Sequence, residues 1–357
     1  MNIAIVGAGS LGIVVGARLA PHCPGLVMID ADPANVAALN RHGARVTGSM
    51  TLAVPVSAIE PRQMAGVYDL VILLTKQTYN DVALAQLAPH LGAASVVCTL
   101  QNGIPEDGVA AIVGAGRTVG GTVGFGATYV APGISQLTST VEAVDRHAFE
   151  VGEMGGGVTP RLRAIAEILS MVGHCEIVDD LMAIRWSKLL MNATFSGVST
   201  ALACTFGEVL ESPDAMEFLA RVADELIGVA HASGHHLARM QGEDMQSLRL
   251  AAGETLADKL PLYRRVWGHH ARLRASMLQD LEKGRKTEID AINGYVVDRG
   301  HQVAVATPFN RLIVDLVRAA EAQKRLPDRA RSMAAMTALM ADDRHQAVAR
   351  PAARPPA

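Results

Sequence analysis

Short apolar, β-branched runs alternate with helical patterns through the first half of the chain. Asn2 to Val6, Leu26 to Asp30, Leu70 to Leu74 and Ser95 to Thr99 are almost unbroken by polar residues, the pattern of strands covered on both faces in a parallel sheet. Pro33 to Arg41 and Asn80 to Leu91 carry helical spacing between them. The alternation predicts βαβ crossovers and a doubly wound α/β domain. From Thr118 the texture changes, because Gly120, Gly121, Gly124, Gly126 and Pro132-Gly133 punctuate short strands that end at His147 to Gly152. These read as extra sheet on the same domain.

From about Leu181 long helical periodicities take over, in Leu181 to Ala203, Pro213 to Ser233, Ser276 to Lys283, Thr287 to Arg299 and Pro308 to Ala322. The second half is therefore expected to be all-helical, with Thr307-Pro308 a clear helix start: a hydroxyl cap followed by a proline at the first helical position. From about Ala341 the periodicity fades into a Pro- and Ala-rich end, which predicts a frayed tail. The expected division is an α/β domain over 1–179, a helical domain over 180–335 and a disordered tail over 336–357.

Composition narrows the function. With 357 residues, 50% of them hydrophobic and 19% charged, the chain can build a large core, and disorder as its main state is excluded. A net charge of −3 and 4% aromatic residues supply neither a basic footprint nor a set of stacking rings, so nucleic acid is not an expected partner. The four cysteines, Cys23, Cys98, Cys175 and Cys204, form no C-x-x-C pair and no His-rich grouping at ligand spacing. No metal site is expected, and a reducing, cytoplasmic location is the default. Ile3 to Ala17 is uncharged and could pass for the apolar part of a signal peptide. However, no Lys or Arg precedes Arg18, and Gly7, Gly9, Gly12 and Gly16 interrupt the run. No later stretch reaches the roughly 18 to 20 apolar residues that span a bilayer, so a soluble protein with no membrane partner is expected.

Gly7-Ala8-Gly9-Ser10-Leu11-Gly12 follows the first strand and opens a helical pattern. In that setting Gly7 permits the turn, Gly9 lets backbone N–H groups approach a pyrophosphate, and Gly12 lets helix and strand pack closely. The helix start at Ser10 and Leu11 would face the anion with its positive end. The first domain is thus a Rossmann-like dinucleotide-binding domain. Asp30 closes the second strand, roughly 20 residues on, where an acid accepts hydrogen bonds from the ribose hydroxyls and repels a 2′-phosphate. Asp32 follows, and no cation appears before Arg41. NAD(H) is the preferred cofactor on this reading, with NADP(H) possible. Leu74-Thr75-Lys76-Gln77 and Leu100-Gln101-Asn102-Gly103 lie at strand carboxyl ends, where ligands of open α/β sheets bind. In the helical half, Lys188 and Asn192 are one turn apart on a single face.

The glycine motif, Lys76, Gln101 to Gly103, Lys188 to Asn192, Ser276-Met277-Leu278-Gln279-Asp280 and Thr287 to Tyr295, in this order, resemble the ketopantoate reductase family over about residues 1 to 325. The resemblance implies reduction of a 2-oxo acid, ketopantoate or a close analogue, to the 2-hydroxy acid, with NADPH as the family's usual cofactor, in a cleft between the two domains. It implies that Lys188 is the general acid, and the chemistry suits that role: hydride arriving at a ketone carbon builds negative charge on its oxygen, which an ammonium stabilises and protonates. Also by resemblance, Glu288 is the acid facing substrate and lysine, Asn192, Ser196 and Ser276 bind substrate, and Asn102 and Lys76 line the site beside the cofactor. Ser196, Phe206 and Leu273 stand where pantoate-making enzymes carry substrate-side asparagines, and each change removes an amide from the expected pocket. The segment from about His235 to Arg274 is longer than a minimal member needs, and its Arg264, Arg265, His269 and His270 form either a solvated face or a seat for a second anionic group. Two alternatives remain open: an NAD-linked dehydrogenase oxidising a branched or aromatic hydroxy compound, favoured by Asp30, Phe206 and Leu273, and a non-catalytic dinucleotide sensor. A homodimer through the helical domain is also expected.

Overall fold

The apolar runs form the sheet they predict. The computed structural model describes residues 1–250 and 254–349. Among these, the strands of the first half are β1 (Ile3–Val6), β2 (Leu26–Ile29), β3 (Ala44–Gly48), β4 (Leu52–Val54), β5 (Ser57–Ile59), β6 (Tyr68–Leu73), β7 (Leu91–Thr99), β8 (Thr118–Val123), β9 (Ala127–Ala131), β10 (Ile134–Leu137), β11 (Phe149–Glu153) and β12 (Cys175–Ile177). The main sheet runs β12-β11-β8-β7-β6-β1-β2-β5. Pairing is parallel from β8 through to β5, and β11 lies antiparallel to β8. Strand order reverses at β1, which pairs Ile3 with Leu26 on one side and with Leu70 on the other. The carboxyl ends of β1 and β6 therefore flank the switch point where open α/β sheets bind ligands.

The glycine-punctuated region does not form one added sheet. β8 and β11 extend the main sheet, while β9 and β10 join β3 and β4 in a second sheet of order β4-β3-β10-β9. That second sheet packs on the helix Ser10–Leu19, whose other side faces the main sheet. Gly12, Ile13, Val14, Val15, Gly16, Ala17 and Leu19 are all buried, as expected of a helix that is apolar all round. The uncharged run Ile3 to Ala17 comprises β1, the glycine loop and most of this enclosed helix.

The chain divides into two units after Arg185, later than the expected boundary at 180 and inside the helix Leu181–Met191. Arg185, the last residue of the first unit, has its guanidinium bonded within that unit. In the second unit the long helix Pro213–Ala232 packs against Asn293–Gln302, Pro308–Gln323 and Arg329–Ala349. Phe218 and Phe309 meet edge to face at 5.4 Å.

Two expectations are corrected here. The helix predicted from Thr287 starts at Asn293, because the backbone N–H and hydroxyl of Thr287 both donate to Glu321 Oε1, at 2.7 and 2.6 Å, and hold the chain in a turn. The tail predicted to be disordered from 336 is instead helical through Ala349. Among the described residues of this helix Ser332, Met336 and Met340 are buried, a narrow stripe at i, i+4 spacing. Arg344 pairs with Glu217 at 2.8 Å, and Asp343 pairs with Arg221. So thin a stripe leaves little periodicity to read, and tertiary contact supplies the helix. Residues 350–357 of the expected tail lie outside the described residues.

Candidate active site

The glycine loop is shaped by two kinds of constraint. Gly7 has φ +99°, and a Cβ there would lie 2.5 Å from the Thr75 nitrogen, beyond the end of β6. A Cβ on Gly12 would lie 2.0 Å from the Gly7 carbonyl oxygen. These two glycines are demanded by the protein's own packing. Gly9 is different: its Cβ would meet no described atom within 4 Å, so protein packing does not demand a glycine there and the space above it is open. Gly9 is also the N-cap of the helix that continues through Ser10 and Leu11, with no side-chain cap. The helix start can thus offer its N–H groups to an anion, and the residues present fit a dinucleotide.

Asp30 lies beside this loop. Its carboxylate accepts from the Asp32 backbone at 2.9 Å. Burial raises its pKa above the usual carboxylate range, opposed by hydrogen bonds from the Asp32 backbone, the Asn35 side chain and the Ala8 backbone. Asn35 is fully buried; it donates to the Ala8 carbonyl at 2.9 Å and accepts from the Gly133 N–H at 2.8 Å, joining the glycine loop to the second sheet. Its sequence signal is only a polar residue on the inward face of a helix.

At the neighbouring strand ends, Gln101 Nε2 donates to the Thr75 carbonyl at 2.8 Å and to Asn80 Oδ1 at 2.6 Å, while its Oε1 accepts from Thr99 Oγ1 at 3.0 Å. This holds the Thr75-Lys76 turn beside the loop that carries Asn102. Asn102 is exposed, and Gln77 Nε2 donates to its carbonyl at 2.5 Å. Arg185 and Glu106 supply an anchor that no sequence motif indicated. Arg185 Nε donates to Glu106 Oε1 at 2.6 Å, Nη1 to the Gln101 carbonyl at 2.6 Å and Nη2 to the Thr99 carbonyl at 3.1 Å, and both side chains are 1% exposed.

In the second unit, from Trp186 to Ala201, the positions that are not fully buried are Lys188, Met191, Asn192 and Ser196. Lys188, Asn192 and Ser196 thus form one stripe, with Met191 beside it, on a helical run whose other positions are buried. Eight residues of regular α-helix would carry Ser196 roughly 80° out of line with Lys188. Asn192–Ser196 is a turn of π-helix, and its looser winding takes back part of that rotation. Glu288 is buried at 8% exposure in the Thr287–Ile292 turn. Ser276 is the exposed first residue of the helix Ser276–Glu282, and Ala275, not Ser276, is its N-cap.

The long segment before Ser276 divides by face. Arg264 is exposed and Arg265 pairs with Glu243 at 2.6 Å, a solvated face. His270 turns inward, where burial, followed by the charges of His269 and Lys188, lowers its pKa. Tyr263 and Trp267, from the helix Leu256–Trp267, pack with Phe195 and Phe206. Trp267 stacks on Phe195 of the π turn with ring centroids 4.8 Å apart. The Phe206 N–H donates to the Leu273 carbonyl at 3.1 Å. Phe206 and Leu273 are therefore neighbours, and Phe206 belongs to an aromatic cluster. Among the described residues no group of His, Cys, Asp and Glu could hold a metal ion, and no helix is long and apolar enough to cross a membrane.

A switch-point glycine loop and a strand-end acid in the first unit, with a lysine and an amide on one face of the second, fit the class of dinucleotide-dependent oxidoreductases. Comparison with known proteins specifies which. Residues 3–153 match the model of ketopantoate reductase PanE/ApbA, and residues 180–321 match the model of its C-terminal part. The 2-dehydropantoate 2-reductase of Mesorhizobium japonicum is 30% identical over 346 residues, spanning 89% of this chain and 97% of the relative. That of Archaeoglobus fulgidus is 29% identical over 321 residues, spanning 90% and 98%. A solved complex of D-mandelate dehydrogenase with NADH superposes with a TM-score of 0.75 at 25% identity, covering 90% of this chain and 99% of that one. The chain belongs to the ketopantoate reductase family. By that membership it is an oxidoreductase.

Proposed function

We propose that this protein reduces a 2-oxo acid of the ketopantoate type to its 2-hydroxy acid, with NAD(H) as the preferred cofactor and Lys188 as the proton donor. The observation that carries this reading is the stripe of Lys188, Asn192 and Ser196 on a buried helical run. When bound, the nicotinamide supplies the hydride. Gly7, Gly9, Gly12 and the helix start at Ser10 and Leu11 receive the pyrophosphate, Asp30 receives the ribose hydroxyls, and Lys76 and Asn102 line the strand ends nearby. The ammonium of Lys188 donates its proton to the substrate oxygen as charge builds there. Glu288 orients the lysine, while Asn192, Ser196 and Ser276 hold the substrate and its carboxylate.

Cofactor choice provides the test. Asp30→Ala is expected to weaken NADH by about tenfold or more, the scale of a lost charge-assisted hydrogen bond, and to weaken NADPH far less. Fluorescence titration of both cofactors checks this, and a wild type that already prefers NADPH would overturn the cofactor assignment.

The adjacency of Phe206 and Leu273 beside an aromatic cluster favours a second reading, in which the substrate side chain is branched or aromatic and the enzyme works as an NAD-linked dehydrogenase. The similarity to D-mandelate dehydrogenase supports that reading. The ratio of kcat/KM for phenylglyoxylate to that for ketopantoate separates the two.

A further inference from the structure

The π turn that carries Asn192 and Ser196 is held at a single backbone carbonyl by a chain of buried amides. Asn293 Nδ2 donates to the Ala193 carbonyl at 3.0 Å and to Asn310 Oδ1 at 2.9 Å. Asn310 Nδ2 donates in turn to Glu225 Oε2 at 2.7 Å and to the Val222 carbonyl at 3.3 Å. Glu225 closes the chain by accepting the backbone N–H groups of Phe309 and Asn310, at 2.8 and 2.9 Å, in the first turn of the helix Pro308–Gln323. Both asparagines are 0% exposed. Each amide nitrogen faces two acceptors, so turning either amide over would set acceptor against acceptor. Asn293 thus donates both ways, to the Ala193 carbonyl on one side and to Asn310, which itself donates to Glu225, on the other.

Two further observations show how closely this contact is fitted. Asn293 Oδ1 is buried with no hydrogen-bond partner among the described residues, an exception that calls for a reason. It lies against Gly197, directly after the π turn, where a Cβ would come within 2.6 Å of Oδ1 and 3.1 Å of Nδ2. The amide is kept, despite its stranded oxygen, at a position that only glycine leaves room for. Burial pushes the Glu225 carboxyl up to about 7 against the pull of its N–H donors.

We propose that Asn293 is a positioning residue: by holding the Ala193 carbonyl it sets the winding of the π turn, which brings Asn192 and Ser196 into register with Lys188 for the 2-oxo acid. Asn310 and Glu225 aim its amide. The inference rests on the reading of the Lys188 stripe as the substrate face.

Gly197→Ala, Asn293→Ala and the double variant test it, with ketopantoate or phenylglyoxylate, whichever turns over faster. Thermal midpoint and NADH affinity are measured alongside. Alanine is normally the better helix former, so a harmful G197A reports the contact with Asn293. G197A and N293A are each expected to raise KM for the 2-oxo acid by about tenfold or more, with NADH affinity unchanged. The double variant is expected to be no worse than N293A alone, because trimming Asn293 makes room for the methyl group that G197A introduces. Wild-type KM in both folded single variants, or losses that multiply in the double, would overturn the proposal. If N293A does not fold, G197A decides alone, and a wild-type KM in G197A overturns it. K188A separates the two levels: unimpaired turnover in K188A removes the reading of the face, whereas impaired K188A alongside wild-type KM in G197A and N293A removes only the positioning role.

Discussion

Lys188→Ala is expected to lower kcat by at least about a hundredfold, the usual scale for losing a positioned acid, while NADH binding stays near wild type. Without the ammonium, the oxyanion that forms as hydride reaches the carbonyl carbon has neither a counter-charge nor a proton from this face. Lys188→Arg separates those two contributions. Its guanidinium keeps the positive charge but does not give up a proton. Substrate affinity in the arginine variant should therefore exceed that of the alanine variant, with turnover still low. Single-turnover kinetics with saturating NADH measures both, and near-normal turnover in either variant would contradict the assignment.

Arg185→Ala is expected to destabilise the first unit by about 3 to 5 kcal/mol, the range for breaking a buried ion pair from one side. The substitution strands Glu106, which is 1% exposed, without its counter-ion. It also removes the donors to the Thr99 and Gln101 carbonyls. Replacing both partners by apolar residues, as in Arg185→Met with Glu106→Leu, should recover much of the loss, because no buried charge then remains. Denaturant midpoints of the single and double variants check this. Equal losses in both would show that the carbonyl contacts, and not the ion pair, carry the stability. The Gln101 carbonyl lies one residue before Asn102, so the single variant should also weaken the cofactor.

Much of this protein is written locally. β1, β2, β6 and β7 were readable because a strand buried on both faces needs an unbroken apolar run, and Gly7, Gly9 and Gly12 because a phosphate turn has a fixed spacing. Lys188 and Asn192 share a face by helical geometry alone. The second sheet was not readable, since it pairs β3 with β10 across a long stretch of chain and leaves no periodic mark. The Arg185–Glu106 pair spans 79 residues, and a buried arginine has the same letter as a solvated one. The π turn is likewise silent, because the groups that meet it, Asn293 at the Ala193 carbonyl and Trp267 against Phe195, are distant in sequence. Thr287 misled because its capture by Glu321 replaces a helix that the local pattern supports. Sequence pattern thus revealed the residues of the stripe, and only tertiary contact shows what aligns them.

The central claim is hydride transfer to a 2-oxo acid with protonation from Lys188, and its most direct test follows the hydride itself. Wild-type protein is incubated with NADH deuterated at the transferable C4 position and with a panel that includes ketopantoate and phenylglyoxylate, and the products are analysed by mass spectrometry. The account predicts a 2-hydroxy acid carrying deuterium at C2 from at least one member of the panel, and its near-absence with Lys188→Ala. No reduced nicotinamide consumed with any 2-oxo acid, or product formed without the label, would contradict it.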